Sequence, residues 1–294
     1  MPPTISESVT VDESSKAGRA RAAGMPESRP DRAPERRRKV PDAAFGIVGV
    51  VVFAALLEVL PRLGVLPRKY FPPLSEMLTA LAGQLGAASF WAALLDTVRG
   101  WGIGLGLALI AGTAVGFAIA SSAKTIAITA STIEFLRPIP SVALIPLAVL
   151  LFGTDIRSTL LLVGYASFWP VLVQVLHGVQ DIDPVAANTA ESYGFSRWAV
   201  FRHLVWPTTL PYLITGARLS ASVALILTIS AELIIGSPGL GSEIARAQAS
   251  NAIADVYAMV IVSGLLGMAV NVLIRSIERR VLGWHMSIRK DEVS

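Results

Sequence analysis

The chain has 294 residues, of which 53% are hydrophobic and only 16% charged, and its mean hydropathy is +0.60. A soluble domain carries about 25% charged residues, so this composition excludes an ordinary soluble domain and points to an integral membrane protein. The absence of cysteine excludes a disulfide framework, a thiolate metal site and a cysteine nucleophile. The net charge of +4 comes without basic and aromatic interleaving, so it reads as orientation of membrane spans and not as nucleic-acid binding.

Residues 1–41 are rich in Ser, Pro, Glu, Asp and Arg. Such a segment buries too little surface to offset its ordering entropy, and it reads as a disordered cytoplasmic tail ending in Arg36-Arg37-Arg38-Lys39. It is too long ahead of the first apolar run to be a secretory signal. The first span is expected over residues 45–60, extending to 66 across Pro61, with Glu58 near its far end. Residues 67–90 read as an outer loop with an amphipathic helix opened by Pro72 and Pro73.

The second span covers residues 91–120 and holds two small-xxx-small pairs, Gly102/Gly106 and Gly112/Gly116. That spacing lets helix backbones approach closely, although glycine is also generally enriched in membrane helices. The third span follows Glu134 to Pro140 and runs to residue 152, with Pro138, Pro140 and Pro146 breaking its hydrogen-bond ladder. Freed carbonyls in a membrane require neighbours or a wet cavity, so these prolines form either a gate hinge or a static kink. The fourth span is expected over 158–179, the fifth over 211–235 and the sixth over 256–277. Gly239-Leu240-Gly241, after the fifth, shapes an outer gate loop or an ordinary turn. The fold expected is therefore an all-α polytopic bundle of about six transmembrane helices over residues 42–284, with a cytoplasmic tail at 285–294. Most Lys and Arg residues fall in the segments assigned inside, which places both termini in the cytoplasm.

The polar stretch 183–207 between the fourth and fifth spans carries the clearest local signals. Asp183 is a good N-cap and Pro184 a good first helical residue. Gly194 is placed to stop the helix in a left-handed conformation. Ser196 caps a second short helix lying against the membrane face, and Pro207 and Pro211 lead into the next span. Small residues Ala186, Ala187 and Ala190 suit a groove on another protein. So ordered a loop reads as a cytoplasmic docking surface.

With these residues in view, the loop resembles the coupling loop of permease subunits of binding-protein-dependent ABC importers. The family motif is Glu-Ala-Ala, three residues, Gly, nine residues, Ile, one residue, Leu-Pro. Here Gly194, Leu204 and Trp206-Pro207 keep the spacing, and Asn188-Thr189-Ala190 stands where Glu-Ala-Ala would be. The missing glutamate removes a charge at Asn188 and leaves the helix–turn–helix intact. Arg137-Pro138-Ile139-Pro140 through Pro146, Phe152-Gly153 and Ala231-Glu232 resemble the nitrate, sulfonate and taurine branch. The resemblance implies a type I importer permease in the bacterial inner membrane, paired as a homodimer. It further implies a cytoplasmic ATPase dimer holding ATP-Mg and an extracytoplasmic solute-binding protein. This chain would bind no cofactor itself, and it lacks a G-x-x-x-x-G-K-[ST] loop. Nitrate, alkanesulfonates, taurine and heterocyclic vitamin precursors all fall within the resemblance.

Along the pathway, Ser222, Thr228, Ser230 and Glu232 place polar groups on the fifth span. Intramembrane ionisable residues are functional candidates, but hydroxyls there also bond their own i−4 carbonyls, and Glu232 near the outer end also reaches interfacial water. An anion prefers Arg or a helix N-terminus, so Glu232 reads as a gating or packing residue. His177 and His203 lack paired ligand spacing for a metal. An ion-coupled secondary transporter is the rival reading, though no inverted repeat supports it.

Overall fold

The structure is a computed structural model describing residues 42–281; the expectations for tails 1–41 and 285–294 lie outside these residues. The described residues are all-helical: among them no strand forms. They fall into two units divided between Val48 and Gly49, and the second holds everything from the body of the first helix onward. In chain order the helices are α1 (Asp42–Arg62), α2 (Leu74–Leu85), α3 (Ala88–Ala120), α4 (Ala123–Leu136), α5 (Ile145–Phe152) and α6 (Ile156–Gln180). They continue with α7 (Pro184–Ser192), α8 (Arg197–Val200), α9 (Trp206–Ile235), α10 (Leu240–Ala249) and α11 (Ile253–Val281).

Among the described residues, four helices are long and apolar enough to cross a membrane: α3, α6, the run Arg197–Ile235 and α11. A fifth is reached if α4 and the segment Ser141–Phe152, bent by 80° at their junction, count as one span. The third span therefore differs from the single kinked helix expected from the sequence. Pro140 precedes a 3₁₀ turn, Ser141–Leu144, and Pro146 opens α5 where no backbone N–H is needed. Pro138 and Pro140 stop one helix, and Pro146 starts another. The prolines break the element and do not bend it.

The core is built on α6, which packs between α3 and α9. Leu162, Val163, Val171 and Val175 are fully buried on it. Its contact with α3 is made by small residues four apart, Gly104, Ala108, Gly112 and Gly116, while Gly100, one step earlier in the same row, faces Thr228 of α9. A Cβ at Gly104 would lie 2.6 Å from Val163 Cγ1, at Gly112 2.8 Å from Val171 Cβ, and at Gly116 2.7 Å from Val175 Cγ1. The expected Gly112/Gly116 pair thus belongs to a longer stripe. Gly102 and Gly106 point into open space and do not make the close approach anticipated for them. Helices α6 and α9 are held by reciprocal bonds in which Ser220 Oγ donates to the Ser167 carbonyl (2.7 Å) and Ser167 Oγ to the Ser220 carbonyl (3.4 Å).

At the end of the bundle opposite α7, two short helices begin on a carboxylate borrowed from an earlier helix. Glu58 of α1 accepts from Ser75 N (2.9 Å) and Ser75 Oγ (3.0 Å) in the first turn of α2. Glu232 of α9 does the same for α10. A carboxylate at a helix start meets orphan N–H groups and the positive end of the helix dipole.

Candidate functional site

The loop joining α6 to α9 is defined by local backbone chemistry. Asp183 caps α7, its Oδ1 accepting from Val185 N at 2.8 Å, and Pro184 occupies the first turn. At the other end Phe195 N donates to the Ala190 carbonyl (3.0 Å) and Gly194 N to the Glu191 carbonyl (2.9 Å). This pair of bonds, with Gly194 at φ +69°, is a Schellman stop. Ser196 Oγ then accepts from Ala199 N (3.3 Å) and restarts the chain as helix. That helix is not the separate short one expected from the sequence. Arg197 to Ile235 run as one 39-residue helical rod. Its one irregularity is a π-helical stretch, Phe201–Val205, which contains Leu204. Pro207 lacks an N–H and crowds the carbonyl four residues earlier. The wider π turn just before it accommodates both demands.

The root of the loop is tightly fastened. Tyr212 OH on α9 donates to Asp181 Oδ2 beyond the end of α6 at 2.6 Å. A Cβ at Gly178 would lie 2.9 Å from Thr209 Cγ2, so α6 and α9 touch backbone to side chain just behind it. On the α3 side, Phe201 meets Phe117 edge to face at 5.3 Å and stacks on Trp198 at 5.8 Å. Of the expected docking residues, Asn188 is exposed, but Ala190 is 8% exposed and closes α7 against its own chain. The outward surface includes Val185, Asn188, Tyr193, Phe195 and Trp198. Sequence reasoning did not single out the three aromatic residues; their place beside the glycine turn was the available signal.

The polar residues of α9 do not converge. Ser222 is exposed and bonds the Arg218 carbonyl (3.4 Å), Thr228 is buried and bonds the Ala224 carbonyl (2.7 Å), and Ser230 is half-buried. Glu232 is 2% exposed and does not reach interfacial water. Its Oε2 accepts from Thr97 Oγ1 on α3 (2.8 Å) and from Gly241 N on α10 (3.0 Å), while Thr97 Oγ1 accepts from Leu240 N (2.8 Å). Beside it, Ser237 and Thr159 share a 2.8 Å hydroxyl bond that fastens the turn to α6. Glu232 and Thr97 thus join α3, α9 and α10 through hydrogen bonds. Thr97 was missed in the sequence because a lone threonine between Asp96 and Val98 carries no local sign of a partner on another helix. Among the described residues, no group of three His, Asp or Glu side chains is placed to hold a metal.

The described residues form a multi-pass α-helical membrane bundle with a capped loop at one end and a buried polar knot at the other. The chain belongs to the family described as the binding-protein-dependent transport system inner membrane component, whose pattern matches residues 104–283, and to its nitrate, sulfonate and taurine branch. It is 31% identical to the taurine transport system permease protein TauC of Escherichia coli, over 75% of this chain and 82% of that one. It is 29% identical to the putative aliphatic sulfonates transport permease protein SsuC of Bacillus subtilis, over 82% and 88%. The nitrate import permease protein NrtB of Leptolyngbya laminosa matches at 29% over 66% and 69%. Among solved structures, the fold is similar to a chain of a bacterial alginate ABC transporter, with TM-score 0.58 at 14% identity over 81% of this chain and 94% of that one. A chain of an amino acid ABC transporter gives 0.55 at 17%, over 65% and 94%. These matches share the type I importer permease fold.

Proposed function

We propose that this chain is the translocation subunit of an ABC importer for a small anion, with nitrate, sulfonate or taurine as the candidate cargo. The coupling surface is the 183–207 loop, and its construction carries the reading. It is capped at both ends of α7, rooted at the α6–α9 crossing, and continuous through Arg197–Ile235 with a helix that crosses the bundle. A push on α7 is therefore delivered to α6 and α9 as a lever movement instead of being absorbed by a flexible linker. Closure of a partner ATPase dimer, which would hold ATP-Mg, supplies the work, and a bistable bundle converts it to alternating access. An extracytoplasmic binding protein delivers the solute, and a second copy of the chain completes the pathway. This reading puts the loop and both termini in the cytoplasm.

Within this reading Ala190 acts by seating α7 on its own bundle, and Asn188, Tyr193 and Trp198 face the ATPase. Pro138, Pro140 and Pro146 set the break beside the pathway. The test uses the absence of native cysteine. Asn188→Cys is introduced and challenged with a membrane-impermeant maleimide in sealed right-side-out and inside-out vesicles. Labelling in inside-out vesicles only, blocked by the co-expressed ATPase, is expected. Labelling from the outside would overturn both the orientation and the coupling role.

A further inference from the structure

Between α7 and the end of α3 lies a groove of about 480 Å³. Its apolar lining comes from Phe117 of α3, Val179 of α6, and Phe201 and Val205 in the run that continues into α9. The level of this lining in the membrane follows from α3. From residue 100 to residue 120 that helix carries no ionisable side chain. At about 1.5 Å per residue the stretch is about 31 Å long, which matches the hydrocarbon core of a bilayer, about 30 Å. Asp96 and Arg99 precede it, and Ser121, Ser122 and Lys124 follow it. Phe117 thus stands about one turn inside the edge of the hydrocarbon, and Ser121, which also lines the groove, stands at the headgroup level. The surrounding aromatic residues agree. The Phe117 ring is 6.1 Å from that of Trp206, and Trp198 stacks on Phe201; tryptophan favours that level of a membrane.

Two unlike charges line the same groove. Glu191, in the last turn of α7, and Arg197, which opens α8, are both exposed. Neither makes an ion pair among the described residues. An exposed charge needs no partner, so each alone says little. Their place beside an apolar groove at the headgroup level is what selects an occupant. An apolar groove is a poor container for water, so the occupant has an apolar body. At its polar end it carries an anion for Arg197 and a cation for Glu191. A purely anionic headgroup suits Arg197 and is repelled by Glu191, whereas a phosphodiester joined to a primary ammonium suits both.

We infer that this groove is a binding site for a zwitterionic phospholipid of the ethanolamine type. One acyl chain packs on Phe117, Val179, Phe201 and Val205. The Arg197 guanidinium takes two phosphate oxygens, and the ammonium donates to the Glu191 carboxylate. The lipid fills the space between α7 and α3 and backs the loop against the bundle. This inference needs the membrane assignment and not the importer reading.

The test uses the full-length chain in nanodiscs of phosphatidylcholine, whose methylated ammonium cannot donate a hydrogen bond to Glu191. A trace of phosphatidylethanolamine carries a diazirine on its acyl chain, and peptide mass spectrometry locates its adducts after illumination. The exposed face of α3 at Ile103, Leu107 and Ile110 reports ordinary lipid contact. Adducts at Phe117 and at Phe201–Val205 are expected to be displaced by unlabelled phosphatidylethanolamine several-fold more effectively than by phosphatidylglycerol. Those at the α3 face should dilute equally with either lipid. Ala120→Trp, which fills the groove, removes the groove adducts. Arg197→Gln lowers them by about threefold or more, and Glu191→Gln narrows the preference between the two lipids. Circular dichroism and gel filtration check that each variant is folded. Groove adducts that dilute like those of the α3 face, equal displacement by the two lipids, or an unchanged preference in folded Glu191→Gln would each overturn the site. Protection of the groove by the co-expressed ATPase, and not by unlabelled lipid, would assign it to a protein occupant and overturn it as well.

Discussion

The carboxylate of Glu232 fills the space that a side chain on Gly239 would occupy. Gly239, at φ +153°, passes directly over it, and a Cβ there would overlap the carboxyl group itself. Two residues further on, a Cβ at Gly241 would lie 2.6 Å from Leu233 N and 2.7 Å from Glu232 Cβ. The turn therefore wraps the acid so closely that only hydrogen fits.

Gly239→Ala and Gly241→Ala should each destabilise the protein by about 1–3 kcal/mol or more, since overpacked atoms here are backbone and a buried acid. Gly102→Ala, with nothing within 4 Å, serves as the neutral comparison. Thermal unfolding in detergent, followed by size-exclusion chromatography, should show clear losses for the first two and little change for the third. Equal melting of all three would show that the turn is looser than the structure has it.

Substitutions of Glu232 should separate hydrogen bonding from charge. Glutamine keeps an oxygen that can accept from Thr97 and Gly241 N, so Glu232→Gln should remain close to the original stability. Leucine leaves a buried hydroxyl and a buried N–H unmatched, at about 1–3 kcal/mol each. Thr97→Val, which strands Leu240 N, should fall between them. Hydrogen exchange should localise the loss to the first turn of α10. Loss spread evenly over the bundle would argue against a local knot.

The seam between α3 and α6 should behave as a matched pair of surfaces. Gly104→Ala puts a methyl group 2.6 Å from Val163 Cγ1 and 3.0 Å from Val163 Cβ, at a cost of about 1–3 kcal/mol. Val163→Ala alone leaves a cavity. The double variant should recover part of the loss, because the offending γ-carbon is gone, and a thermal double-mutant cycle measures that coupling. Additive losses would mean that the helices do not meet at this pair.

Gly194→Val tests the loop. Its φ of +69° costs an ordinary residue about 1–2 kcal/mol, and nothing within 4 Å of the site obstructs the new side chain. The bundle should therefore fold while the Schellman stop distorts. In proteoliposomes carrying the complete importer, the expected outcome is strongly reduced uptake with ATP hydrolysis retained. Uptake at the original rate, at equal protein level, would remove the loop from the coupling route.

The amino-acid sequence by itself determined the features that depend on neighbours along the chain. Asp183 as a cap, Gly194 as a left-handed stop, Ser196 as a restart and the apolar runs are all short-range matters of backbone geometry and hydropathy, and the structure contains each of them. The tertiary structure alone decided which groups face one another. Gly102 and Gly106 have the same spacing as Gly112 and Gly116, yet only the latter pair meets α6, because the helix turns the two sets about its axis toward different surroundings. Thr97 and Glu232 are joined across distant helices, and Ala190 turns inward although its sequence context suited an exposed face. The break at Pro138–Pro140 became an 80° corner in place of a kink because Pro146 could begin a fresh helix. A residue's partner across a bundle depends on the rotation and offset of two helices, and neither quantity is written in the order of residues along one of them.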